Sequence, residues 1–273
     1  MPDTSDSPVF QLAPPDLSPE EKEKHEIFML LTLALVSDHW CVRSSVPEEL
    51  QAYREAFPGQ DFSDYVGHNI GALLVGADDE IITYSFNCNY LFNDSTEHAE
   101  ARLVRKALRI ANRHRYRSGH GLYGYSSVLR DHAVYTSLES CSQCSGIMDL
   151  ANVGEVIYAQ IDPGQYHIGN ALFNLHGGGD YGAPRPIPAD FMGVFGQLAA
   201  AYDEMDEDDG PNRRPGMTRF LRSIPAYRVF REAASQLEAY EASSPENAQI
   251  LERARSFRAG FSSIEERDAV FGA

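Results

Sequence analysis

The stretch NIGALLVGADDEIITYSFNCNYLFNDSTEHAE, residues 69–100, decides how the chain folds. Ile70, Ala72, Leu73, Leu74 and Val75 form a short apolar run, Gly76-Ala77-Asp78-Asp79 supplies turn residues, and a second run follows from Ile81 to Phe86. Two apolar runs joined by such a turn predict a β-hairpin. The residues from His98 to Arg113 then change period: Ala99, Leu103, Ala107 and Ile110 recur at helical spacing, with arginines around them. Asp94, Ser95 and Thr96 are helix-capping types just ahead of that helix.

Downstream the alternation continues. Asp131 to Leu138, with Val134, Tyr135 and Thr136, suits a strand; Cys141 to Ala151 reads as a helix ending near Asn152 or Gly154; Val156, Ile157 and Tyr158 make another strand. Strand, strand, helix, strand, helix, strand implies an α/β sandwich of two or three layers around a largely buried sheet.

Upstream, Ser18-Pro19-Glu20-Glu21 places Ser at an N-cap, Pro at the first helical position and Glu at the third. A helix is expected from there to about Asp38, with Ile27, Leu30, Leu31, Ala34 and Leu35 as its apolar face. Residues 1–18 are rich in Pro, Ser and Asp, without the regions of a signal peptide, and are expected to form a disordered tail. Residues 43–66, with Pro47, Pro58 and Gly59 and a short helix around Glu48 to Phe57, read as an insertion in a domain spanning 19–180. Gly177-Gly178-Gly179 and Pro184-Arg185-Pro186-Ile187-Pro188 mark the expected end of the core. A mainly helical C-terminal extension, 181–273, follows, with helices expected at Asp190–Tyr202, at Met217–Ala242 and from Glu246, and an acidic run from Asp203 to Asp209 between the first two.

Composition narrows the class. The 273 residues, 43% hydrophobic, suffice to bury a core. The apolar run Ile27–Val36 has about half the length a bilayer-spanning helix needs, so no membrane partner is expected. Four cysteines, two of them spaced Cys141-Ser142-Gln143-Cys144, point to metal or redox chemistry in a reducing, cytoplasmic compartment rather than to a disulfide framework. Cys41 and Cys88 read as structural. A net charge of −17 disfavours non-specific polyanion binding. Yet Arg102, Arg105, Lys106, Arg109, Arg113, Arg115, Arg117 and Arg130 crowd residues 101–130 without one acidic neighbour. The interleaved Arg and Tyr residues of His114–Tyr125 fit base stacking or phosphate contact, or a solvated loop that balances the acidic remainder.

His98-Ala99-Glu100 alone fits a capped surface helix, and a Cys pair at i and i+3 fits two core residues, a redox pair or half a zinc site. Together, one imidazole and two thiolates make a three-ligand zinc site whose fourth position is open to water. Zinc brings the pKa of such a water toward neutrality, and Glu100, two positions from a ligand, is placed to take a proton from it. His167 and His176 read as polar surface.

At this point the chain resembles the bacterial tRNA adenosine deaminase and nucleoside deaminase branch of the cytidine-deaminase-like superfamily. Asp94-Ser95-Thr96-Glu97-His98-Ala99-Glu100 is similar to that branch's Asp-Pro-Thr-Ala-His-Ala-Glu segment, and Thr136-Ser137-Leu138-Glu139-Ser140-Cys141-Ser142-Gln143-Cys144-Ser145-Gly146 to its Thr-Thr-Leu-Glu-Pro-Cys-x-x-Cys-x-Gly segment. Gly71–Val75, Val153–Tyr158 and Asn170–Leu175 fit neighbouring segments, so that the likeness spans about Glu20 to Leu175. It implies an α/β/α sandwich with a mixed central sheet, one zinc per chain on His98, Cys141 and Cys144, Glu100 as the catalytic acid–base, substrate contacts at Asn87 and Ala99, and a homo-oligomer. Ser140 replaces the usual Pro, where it is able to cap the helix. The favoured substrate is a nucleobase in a free base, nucleoside or nucleotide. The alternatives are a nucleic-acid deaminase acting on RNA or single-stranded DNA through residues 101–130, and an inactive zinc-binding interaction module.

Overall fold

The structure, a computed structural model, describes residues 16–117, 128–162, 184–208 and 216–261, except the side chains of 114–117 and 206–208. Most of the 1–18 tail, the side chains of His114–Tyr125, Asn170–Leu175, His167, His176 and the three glycines at 177–179 lie outside the described residues.

Helix α1 (Pro19–Asp38) starts on a complete capping box, in which Ser18 Oγ accepts from Glu21 N at 3.2 Å and the Glu21 carboxylate accepts from Ser18 N at 2.8 Å. From Ile27 to Ser37 every residue is buried, as the apolar run Ile27–Val36 leads one to expect of a buried helix, and the burial extends beyond the single apolar face to all sides. Beyond it lie β1 (Cys41–Val42), α2 (Pro47–Ala56) and β2 (Ser63–Asp64), with β1 and β2 paired in parallel.

The hairpin is present as β3 (Gly71–Val75) and β4 (Ile81–Phe86), antiparallel with Leu73 opposite Tyr84. Gly71 has no substitute here, because a Cβ would overlap the Tyr84 hydroxyl, which donates to Thr32 O in α1. A one-turn helix, α3 (Asn89–Phe92), and the long α4 (Ala99–Arg117) lead to β5 (Ala133–Thr136), α5 (Ser142–Leu150) and β6 (Glu155–Tyr158). Asn152, at φ 52°, ends the turn after α5 in the left-handed conformation that Asn tolerates.

A fifth strand, β7 (Arg185–Pro188), completes the sheet in the order β4-β3-β5-β6-β7, with β3 antiparallel to both neighbours and β5, β6 and β7 mutually parallel. The Pro-rich stretch expected to close the core thus supplies its edge strand, and the sheet continues past residue 180. Alternation explains why prolines are tolerated: the amides of Arg185 and Ala189 donate to Gly154 O and Tyr158 O, leaving the N–H-lacking Pro186 and Pro188 at positions that face the open edge.

The remaining helices are α6 (Gly193–Asp208), α7 (Met217–Phe220), α8 (Ile224–Ala239) and α9 (Pro245–Gly260). The helical region expected over Met217–Ala242 consists of two helices, because Ser223 caps α8 by accepting from Ala226 N and Pro225 suits only a first turn. Helices α8 and α9 pack on α1, which explains its complete burial. Arg258 of α9 clamps the α1 terminus through two contacts of 2.7 Å to Asp38. Trp40, Tyr53, Tyr227 and Phe230 join α2 and α8 in one aromatic cluster continuous with the sheet's core. Among the described residues no helix is long and apolar enough to cross a membrane.

Candidate active site

Two helix N-termini converge at one end of the sheet. His98 immediately precedes α4, and its carbonyl accepts from Arg102 N at 3.0 Å. Asp94 Oδ1 shapes the approach by accepting from both the amide and the hydroxyl of Thr96, at 2.8 and 2.7 Å. Cys141 is the N-cap of α5 and Cys144 lies in its first turn. The expected capping role of Ser140 is not found: the chain is still extended at Cys141 (φ −69°, ψ 167°), so Ser140 stands one residue too early, and its buried side chain faces Glu100 instead.

The three expected metal ligands meet. His98 Nδ1 lies 3.3 Å from Cys141 Sγ and 3.6 Å from Cys144 Sγ, and all three atoms fall within 4.8 Å of one another. A tetrahedral zinc ion, with bonds of about 2.0–2.1 Å to nitrogen and about 2.3 Å to sulfur, requires ligand atoms about 3.5–3.8 Å apart. The donor set therefore fits zinc in identity, number and spacing, and among the described residues it is the only such group.

Electrostatics agree with a cation site. The hydrogen bond from Cys144 and the adjacent imidazole hold the Cys141 thiol down at about 4, whereas Cys144, in contact with that thiolate and fully buried, is held up. Zinc coordination requires both thiols in their deprotonated form. His98 is raised, chiefly by its hydrogen bond to Cys141. Glu100, 4% exposed, points a carboxylate oxygen to 3.5 Å from Cys144 Sγ, and burial raises its pKa.

Asn87 precedes Cys88, whose amide donates to Glu97 O at 2.9 Å just ahead of His98, but it spends its side-chain oxygen on the protein. Its Oδ1 accepts from the amides of His68 (3.3 Å) and Asn89 (3.2 Å), and Gly67 packs so close that a Cβ there would overlap it. The side-chain nitrogen makes no hydrogen bond among the described residues. Ala99 is fully buried. A largely apolar cavity lined by His68, Asn69, Asn87, Cys88, Phe92 and Arg102 adjoins this loop and includes none of the three metal-type ligands.

Several supporting residues gave no sequence signal of their role. Gln143 Nε2 donates to Thr96 O at 2.9 Å, tying the two ligand-bearing helices together. Glu139, 4% exposed, accepts from Asp162 N and so anchors the segment leading to Cys141. Glu97 is gripped by Arg102 and Arg105, each at 2.6 Å, and Lys106 Nζ donates to Tyr84 O at 3.0 Å. Three of the basic residues expected to serve a nucleic acid are thus engaged internally.

One imidazole, two thiols and a buried carboxylate thus meet at paired helix N-termini beside a mixed sheet, a candidate zinc site. Residues 49–160 match the family described as the cytidine and deoxycytidylate deaminase zinc-binding region. Similar solved structures include one from studies of A-to-I editing by tRNA:A34 deaminases, with 24% identity over 52% of this chain and 91% of that one (TM-score 0.33). A guanine deaminase from Bacillus subtilis shares 27% identity over 43% of this chain and 60% of its own (TM-score 0.30). A guanine deaminase from Nitrosomonas europaea shares 19% over 74% and 92% (TM-score 0.27). Similarity at this level leaves the substrate of this chain open.

Proposed function

We propose that this protein is a zinc-dependent hydrolytic deaminase that removes the exocyclic amino group of a nucleobase carried in a free base, nucleoside or nucleotide, with one zinc per chain. The observation that supports this best is the meeting of His98 Nδ1, Cys141 Sγ and Cys144 Sγ within 4.8 Å, with the buried Glu100 carboxylate beside them. Bound zinc supplies Lewis acidity that lets water ionise near neutral pH. His98 and the two cysteines hold that ion and leave one coordination position free. Glu100, which is not needed as a ligand, carries protons to the ring nitrogen and to the leaving ammonia. The free Asn87 amide nitrogen and the Ala99 backbone orient the base. Zinc analysis and ammonia release over a panel of cytosine, adenine and guanine compounds test the reading. About one zinc per chain with release from one class is expected, and zinc-loaded protein silent on the whole panel refutes it.

A nucleic-acid substrate has one observation in its favour: Arg109 and Arg113 are exposed one turn apart on α4. Charge reversal at both positions then weakens oligonucleotide binding with a clear salt dependence, and unchanged binding removes this alternative. An inactive zinc module is disfavoured by Glu100, since a purely structural site has no use for a buried carboxylate beside its open position.

A further inference from the structure

Two arginines that the deaminase chemistry does not use share one aromatic ring as a neighbour. Arg43 follows β1 and Arg222 precedes α8, so neither belongs to the sheet or to the helices that carry the ligands. Their guanidinium carbons lie 5.2 and 5.5 Å from the centroid of the same ring, Tyr65. Acidic residues outnumber Lys and Arg by 40 to 23 in this chain, yet among the described residues neither arginine forms an ion pair. Arg222 Nε donates to Thr218 O, but its Nη1 is buried without any hydrogen-bond partner among the described residues. A buried charged donor without an acceptor is costly, and a native fold that retains one calls for an explanation such as a missing ligand.

The two arginines are positioned by buried side chains rather than left to wander. Asn69, 4% exposed, accepts from Cys41 N at 2.8 Å and donates from Nδ2 to Cys41 O (3.1 Å) and Leu221 O (2.9 Å). It therefore fastens the chain two residues before Arg43 to the chain one residue before Arg222. Tyr53 adds a second tie by donating to Arg222 O at 2.8 Å.

His68 connects this pair to the catalytic end. Its Nδ1 lies 2.9 Å from the Tyr65 hydroxyl, and its amide donates to Asn87 Oδ1. Burial first, then the charges of Arg222, His98 and Arg43, push His68 down to about 4. The imidazole thus stands within electrostatic reach of both the ligand histidine and the two arginines.

We infer that Arg43 and Arg222 form an anion subsite that receives the phosphate of a nucleoside monophosphate substrate, with Tyr65 as the platform of both guanidiniums and Asn69 as a positioning residue. This rests on the proposed deaminase function. Phosphate is the one dianionic group such a substrate carries away from its base, and guanidinium groups match its geometry and charge. A polyanion carries phosphates too, but the strong net negative charge of the chain opposes it while two local cations still accept one phosphate.

The test compares kcat/KM on a nucleoside whose base releases ammonia in the panel, on its monophosphate and on a single-stranded oligonucleotide bearing that base, using the full zinc-loaded chain. Wild type is expected to prefer the monophosphate. Arg43→Ala and Arg222→Ala are each expected to lose about 10- to 100-fold on the monophosphate while nearly sparing the nucleoside. A structural role lowers both alike, so an unchanged monophosphate-to-nucleoside ratio overturns the subsite, as does preference for the oligonucleotide. If no compound is deaminated, the functional reading has failed and the subsite is judged separately. Inorganic phosphate must then raise the Tm of the wild-type chain more than that of either variant, and equal shifts overturn it.

Discussion

Replacing His25 by Gln removes a group whose titration opposes folding in mild acid. His25 lies in α1, 3% exposed, with Nδ1 2.8 Å from the Tyr135 hydroxyl, and burial pushes its pKa from the ordinary 6.5 to about 4, partly offset by Glu155. Between these values the unfolded chain binds a proton at this position that the folded chain refuses, so stability rises with pH through that window. The His25 contribution is complete above about pH 6.5 and is lost progressively as the pH falls toward 4. A shift from 6.5 to about 4 is equivalent to about 3 kcal/mol in full and about 2 kcal/mol at pH 5. Urea unfolding of wild type and His25→Gln at pH 7.5 and 5.0 measures it. The drop on acidification should be smaller in the variant by about 2 kcal/mol. Because the metal-site groups are the same in both proteins, their titration cancels in that difference. Equal pH responses, within about 0.5 kcal/mol, refute the assignment of a buried neutral imidazole.

Three further outcomes bear on the site. Glu100→Gln should lower kcat by about 10²- to 10⁴-fold with zinc content unchanged and stability no worse, since a buried carboxyl is replaced by an isosteric neutral group; activity within tenfold of wild type removes Glu100 from proton transfer. Cys144→Ser should bring bound zinc, measured by elemental analysis after dialysis, from about one per chain toward zero, because a hydroxyl is a poor substitute for a thiolate; retained stoichiometry contradicts the ligand set. Asn69→Ala deletes the buried bonds to Cys41 and Leu221 and should destabilise the chain by about 2–4 kcal/mol in urea unfolding. A change below about 0.5 kcal/mol would mean that Asn69 does not fasten the two segments.

Local spacing makes much of the chain legible. The Ser18 capping box, the hairpin over 70–86, the helix after His98 and the Cys141-x-x-Cys144 pair are each written within a few residues, because turns, caps and periodicity are short-range physics. The grouping of His98 with the two cysteines is also foreseeable, since metal chemistry demands a definite donor set whatever lies between. What covers a surface is another matter. The apolar face of α1 is visible in the sequence, but its enclosure depends on α8 and α9 arriving from the far end of the chain. The strand at 185–188 is hidden because prolines signal turns locally, and only an open sheet edge makes them acceptable. Likewise the sequence offers Asn87 as a base contact, and the fold shows its oxygen already committed to backbone amides. The sequence by itself determined which residues are fit to hold zinc and move protons. Only tertiary packing decided that Arg43 and Arg222, unrelated in sequence, stack on one tyrosine, because that juxtaposition is set by buried contacts of Asn69 and Tyr53 between distant segments.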